Sequence, residues 1–314
     1  MNYLEYFHFD NSPFPVNEHF NYFYPRSIQS HIVESISKYC RFYSGIYLIV
    51  GTTGCGKSTL LSLLASKLSN NDCVIEINAT TSTDILKTIA TFLNLKNHKN
   101  IDDILTSLHH IYIHGQNIIL IIDDAHLLSK EQLISLNSLT DVAKYLRVVL
   151  CANQSIIKKL SPKSVSPIRT KIIKRYKLKY FSYIEGVHYI SYISKKALAL
   201  SQHTRPIGFF AMLFLSFISN RNINNINIVS TAALRLAFSE KTPYVTFSQS
   251  FRVAKEHFSL VRTNIYQKFQ KIFAGVLVLF TLFFAVKIII DRYDTITTLE
   301  ARQSVARQER NLHS

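Results

Sequence analysis

The chain has 314 residues, a prior for about two domains. Its 47% hydrophobic content excludes a disordered chain, and its net charge of +16 points to an acidic partner, either nucleic acid or an anionic membrane face. Cys40, Cys55, Cys73 and Cys151 stand far apart, with no CxxC and no metal-ligand spacing, so they read as reduced thiols of a cytosolic domain.

The N-terminal stretch "MNYLEYFHFDNSPFP" is aromatic and acidic and lacks the basic and apolar regions of a cleavable signal peptide. Next comes "GIYLIV", a short run rich in β-branched and aromatic residues that predicts a buried strand. It leads into "GTTGCGKST", residues 51–59, and then into "KSTLLSLLASKL", whose apolar residues recur at helical spacing. Strand, glycine loop and helix form the context of a phosphate-binding Walker A loop. Gly51, Gly54 and Gly56, with Thr52, Thr53 and Cys55 between them, let backbone N–H groups curl around phosphate oxygens of ATP. Lys57 is placed to reach the β and γ phosphates, Ser58 to ligate Mg²⁺, and Thr59 follows in the first helical turn.

Further on, "NIILIIDDAHLL" ends an apolar run at Asp123, the position of a Walker B carboxylate that holds the Mg²⁺ shell. Asp124 stands where a base would orient the attacking water. Before that strand, His109, His110 and His114 lie on a predicted helix without the carboxylate or cysteine that would complete a metal site. A third run, "LRVVLCAN", ends in Asn153, an amide read either as a sensor of the γ-phosphate or as a plain turn residue. Alternating strands and helices over residues 45–180 predict an α/β doubly wound parallel sheet. Between Lys163 and Lys179 seven cations occur without an acid, the pattern of a nucleic-acid face or of a solvated, interface or membrane-facing patch.

Residues 241–271 are basic and mixed in polarity and read as a juxtamembrane linker attracted to anionic lipid. Ile272–Ile290 is 19 residues long and its only charge is Lys287. As a helix it covers roughly 28 Å, close to the ~30 Å hydrocarbon core, which predicts a single transmembrane helix. Because ATP is cytoplasmic, residues 291–314 are then expected on the far side of the membrane.

"YFHFDNSPFPVNEHFNYFYP", the Walker A loop, "LIIDDAHLL" and "LRVVLCANQSIIKKL" follow one another as in the ExeA/GspA family, AAA+ ATPases of general secretion and related pilus systems. The chain resembles that family over roughly residues 1–238. The resemblance implies a P-loop AAA+ core of RecA-like fold over residues 1–180, a helical lid over 181–240, and assembly into a homo-oligomeric ring. It further implies an inner-membrane partner protein of secretion or pilus type, membrane lipid around the span, and a bacterial inner-membrane location. DNA binding by a transposition-type AAA+ adaptor and a membrane defence ATPase are the alternative readings.

By the same resemblance, Tyr6, Phe7, Pro13 and Phe14 match a signature that covers the nucleotide, and Arg169 stands at the place of an arginine finger. The chain departs from the family at Asp124, where a glutamate is usual, and at Lys171, where a second arginine is expected. In "HTRPIGFF" Arg205 precedes the proline of the second-sensor motif rather than following it. The family's periplasmic peptidoglycan-binding half has no counterpart here.

Overall fold

The computed structural model describes residues 2–15, 24, 26–81, 84–95, 101–163, 165–198 and 205–258, with Gly275, Val278, Thr281, Leu282 and Lys287 beyond them. Residues 1–255 form one compact unit.

Five parallel strands make its sheet: β1 (Gly45–Gly51), β2 (Cys73–Asn78), β3 (Ile118–Asp123), β4 (Arg147–Ala152) and β5 (Ile172–Leu178), in the order β2-β3-β4-β1-β5. β1, β3 and β4 are almost continuously buried, as expected of parallel strands covered on both faces. Alternate side chains separate the two faces. Ile46, Leu48 and Val50 join one core with Leu120 and Val148, whereas Tyr47 and Ile49 join another with Ile121 and Val149. The register sets Val50 beside Ala152 and Ile122 beside Leu150, so the strand tips that precede Thr52, Asp124 and Asn153 share one edge of the sheet. In such sheets a ligand sits at the carboxyl edge, where the strand order reverses.

A short N-terminal helix, α1 (Tyr3–Tyr6), precedes the sheet. One face of the sheet carries α2 (Ser27–Phe42) and α3 (Lys57–Leu68), the other α4 (Ile85–Phe92), α5 (Ile101–Ile113), α6 (Lys130–Val142) and the short α7 (Ser155–Lys159) and α8 (Ser166–Thr170). α6 starts at a capping box between Ser129 and Gln132, which satisfies its first free amides. Leu120, in the fully buried middle of β3, would cost ~2–5 kcal/mol if cut back to alanine.

After β5 come four helices, α9 (Tyr183–Ala197), α10 (Phe209–Ile218), α11 (Ile223–Ser239) and α12 (Phe247–Phe258), here called the lid as a label. α12 lies inside the stretch whose composition reads as a linker. Its buried Gln249 and Ser250 hide the apolar period, yet Gln249 is satisfied by Glu240 and Thr242 and lets the helix pack.

The N-terminal aromatic residues also belong to the lid rather than to the nucleotide loop. Phe9 bridges to Leu198, the Asp10 amide donates to the Ala197 carbonyl, and the Tyr6 ring meets Phe238 edge-on. Thr231 and Asn227 of α11 donate to the carbonyls of Phe14 and Pro15. Phe7, Phe9 and Phe14 are thereby buried, filling the flanks of α9 and α11.

The stretch read as a membrane span lies outside the described residues apart from five helical, exposed positions, Gly275, Val278, Thr281, Leu282 and Lys287. Among the described residues no helix is long and apolar enough to cross a membrane. Residues 291–314 also fall outside them.

Candidate nucleotide site

The loop between β1 and α3 is built around conformations that glycine alone takes without strain. Gly54 and Gly56 have φ of 76° and 89°. A Cβ on Gly54 would lie 2.1 Å from Asn222 Oδ1, and one on Gly56 would lie 2.8 Å from Gln29 Nε2. The backbone is therefore pressed against neighbours on its outer side, leaving the concave side for a ligand. α3 begins at Gly56 with no side-chain cap, so its first amides keep their partial positive charge for an anion.

Lys57 opens α3 and is only 8% exposed. Its Nζ donates to the Thr52 carbonyl at 3.1 Å, and among the described residues it makes no ion pair. A buried ammonium held by one carbonyl is an unbalanced charge, and a phosphate oxygen is the group that balances it. The adjacent Ser58 Oγ donates to Asp123 Oδ2 at 2.7 Å, across 65 residues of sequence. A hydroxyl and a carboxylate in contact offer two hard oxygens, a set that fits Mg²⁺ completed by water and phosphate oxygens. The described residues contain no cluster of three His, Cys, Asp or Glu that could hold a metal by itself, and the rings of His110 on α5 and His114 just after it meet at a tilt of 39°.

Asp124 follows β3 in the left-handed conformation, φ 49°, and its amide donates to Asp123 Oδ1 at 2.8 Å. That sharp turn lifts its carboxylate off the strand tip, where it is one-third exposed and 3.8 Å from His126 Nδ1. Asn153, one residue beyond β4, uses Oδ1 to accept from the amide and hydroxyl of Ser155, the bond pattern of a turn residue. Its amide nitrogen stays free of those bonds at the same sheet edge. Arg169 is exposed on α8, away from the groups just described, while Thr53 lies within the loop and Thr59 in the first turn of α3. Lys171 is committed elsewhere, with Nζ 2.7 Å from Asp141 Oδ1 and bonds to Asn137 and Thr140. Arg205 is exposed, while Ile207, just after Pro206, is buried against Val245.

Two thiols, Cys55 in the loop and Cys151 in β4, are buried, and burial pushes both above their ordinary range.

Several site residues come from far away in sequence and carry no motif. The Ile223 amide donates to the Gly54 carbonyl at 2.9 Å, and Asn222 Nδ2 approaches the Thr53 carbonyl at 3.5 Å. Gln29 donates to the Gly56 carbonyl at 3.2 Å. Arg26 is nearly buried, and its guanidinium binds Glu185 at 2.8 Å and the carbonyls of Lys179 and Tyr180 at 2.8 and 2.9 Å. It also lies 4.6 Å from the Phe181 ring centroid. Beside the loop, Gly51, Thr52, Arg26, Lys177, Tyr180 and Arg221 line a cleft of about 570 Å³. Only Asn222 had a readable signal, as a helix cap before an apolar periodic run.

Residues 40–160 match the AAA_22 family, described as an AAA domain. Solved structures share the wider fold of this AAA domain and its lid. Cdc6p from Pyrobaculum aerophilum superposes with a TM-score of 0.62 at 15% identity, covering 79% of this chain and 71% of that one. The Aeropyrum pernix ORC2 protein, solved as ADPNP-ADP complexes, gives 0.61 at 14% identity, covering 76% and 70%. The Thermotoga maritima RuvB Holliday junction branch migration motor gives 0.50 at 15% identity, covering 76% and 68%. At such identities the likeness is one of fold. No curated protein matches the chain.

Proposed function

We propose that this AAA+ ATPase binds Mg·ATP in the β1–α3 loop and is held at a membrane by Ile272–Ile290, where its nucleotide state drives an inner-membrane assembly of secretion or pilus type. The observation that carries the nucleotide part is the buried Lys57 ammonium, unpaired among the described residues, beside the Ser58–Asp123 contact. In this reading the loop amides and Lys57 hold the phosphates, and Ser58 and Asp123 hold the metal, which neutralises phosphate charge when bound. Asp124 orients the attacking water, the Asn153 amide faces the γ-phosphate, and Arg169, exposed on α8, reaches the site of a neighbouring subunit in a ring. The membrane part rests on sequence, a 19-residue apolar stretch after a basic one. The ExeA/GspA resemblance supplies the client class.

The test is flotation of the full chain with vesicles, with nucleotide affinity measured by calorimetry. The full chain should float and resist carbonate extraction, and a chain ending at Lys271 should stay in solution yet still bind ATP. A full chain that sediments free of lipid overturns the anchored reading without touching the nucleotide site.

A second reading, a DNA-bound ATPase, is favoured by one observation: Arg175 and Lys177 on the edge strand β5 and Lys179 just after it are exposed cations at alternate positions. The Aeropyrum pernix ORC1 protein has been solved in complex with DNA and shares the fold at 13% identity. The other cations of the basic run are partly spent, Lys171 on Asp141 and Lys174 over the Tyr39 ring. Binding of a labelled oligonucleotide that weakens steeply with salt would favour this reading over the first.

A further inference from the structure

The lid exposes an uncharged apolar edge that nothing in the nucleotide site uses. α10 reads FFAMLFLSFI and contains no charge. Phe209 is 57% exposed, Phe210 71% and Leu213 42%. Tyr244 and Phe247 join them, because the Gly208 amide donates to the Val245 carbonyl and Phe247 packs 5.1 Å from Phe214 of α10. An uncharged aromatic surface of this kind marks a protein or membrane contact.

We propose that this edge, made of Phe209, Phe210, Leu213, Tyr244 and Phe247, lies on the surface of the bilayer that receives the C-terminal apolar stretch, with lipid as its partner. The inference rests on the membrane-anchored reading above. Connectivity favours lipid over a second copy. Phe247 sits in the first turn of α12, the element through which the chain leaves the lid, and α12 ends at Phe258. Only residues 259–271 separate it from Ile272, and thirteen residues reach at most about 45 Å when fully extended. The chain therefore leaves toward Ile272 from the lid and not from the nucleotide loop. Charge agrees, since residues 259–271 contain Arg262, Lys268 and Lys271 and no acid, a composition attracted to anionic headgroups. Aromatic rings beside a cationic segment suit the headgroup–acyl boundary.

The chain has no tryptophan, so one introduced ring reports its own surroundings without background. Full-length Phe210→Trp and, independently, Leu213→Trp would be reconstituted into phosphatidylcholine–phosphatidylglycerol vesicles with and without brominated acyl chains. Ile113→Trp, at the exposed end of α5 in the AAA domain, is the control. Emission at 210 and 213 should shift to the blue and fall about two-fold with brominated lipid, since an interfacial face sits ~5–10 Å into the boundary. The control should not change. Floating protein with red-shifted, unquenched emission at 210 and 213 overturns the inference and leaves the anchor standing. A blue shift without quenching means that protein covers the edge, which also overturns it. Failure of the wild-type chain to float removes the anchored reading itself, and this inference with it.

Discussion

The amide of Ile223, first residue of α11, donates to the carbonyl of Gly54 in the phosphate-binding loop at 2.9 Å, joining groups 169 positions apart. The lid thus touches the loop through backbone atoms, at the turn a nucleotide would order. Asn222 supports that contact from both sides, capping α11 by accepting from Asn224 and reaching toward the Thr53 carbonyl. Asn222→Ala should lose ~1 kcal/mol as a lost helix cap. It should also raise the rate at which labelled ADP leaves, measured by stopped-flow fluorescence. A fall in melting temperature with an unchanged release rate would confine Asn222 to a structural role.

Lys57→Ala should abolish ATP binding in calorimetry while the fold, followed by circular dichroism, stays intact, because the ammonium's one protein partner is the Thr52 carbonyl within the loop itself. Retained affinity would remove the nucleotide assignment. Ser58→Ala is expected to spare binding in the absence of Mg²⁺ and to weaken it selectively in its presence.

Asp124→Asn keeps the shape of the turn and the amide bond to Asp123 but removes the base. Turnover should fall ~10²–10⁴-fold with ATP affinity preserved. Equal loss of affinity and turnover would mean that Asp124 holds the ligand rather than the water.

Arg169 lies on a surface helix, away from the site of its own chain, so its contribution should depend on assembly. Turnover per subunit should rise with protein concentration in the wild type. Arg169→Ala should lose most of that rise, since a finger supplied in trans is worth up to ~10³–10⁵ in rate. Turnover independent of concentration, and equal in the two proteins, would leave Arg169 without this role.

Glu185 should make stability fall in acid. Burial raises its pKa, but hydrogen bonds from Arg26 and Ser182 outweigh burial and hold the carboxyl below its ordinary range. A group depressed in the folded state binds its proton first in the unfolded chain. Its stabilisation is therefore complete above the unfolded-state value and is lost as pH falls through the folded-state value. Urea midpoints should drop on acidification more in the wild type than in Glu185→Gln. At neutral pH that variant should already be weaker by ~1.5–3 kcal/mol, the range for a hydrogen bond to a charged group.

The legible parts of the site were the contiguous ones. Residues 51–59 and the strand ending at Asp123 are read from a dozen neighbouring positions, because loop geometry and strand burial are set locally. Arg26, Gln29, Asn222 and Glu185 act through partners as far as 159–169 positions away, and composition holds no trace of those pairings. α12 is hidden in the sequence for another reason. Its buried positions include Gln249 and Ser250, so hydropathy does not repeat at the helical period even though burial does. The N-terminal phenylalanines show the same limit. Their hydrophobicity was plain, but the flanks of α9 and α11 that receive them exist only after the lid has folded.

Arg26 and Gly54 are fastenings of unequal strength. At Arg26, four hydrogen bonds and an aromatic ring face join the beginning of the chain's core to the start of the lid. At Gly54, two hydrogen bonds join the lid to the loop, one of them long. The contact at Gly54 rests on fewer hydrogen bonds than the one at Arg26, so it is expected to open the more readily of the two.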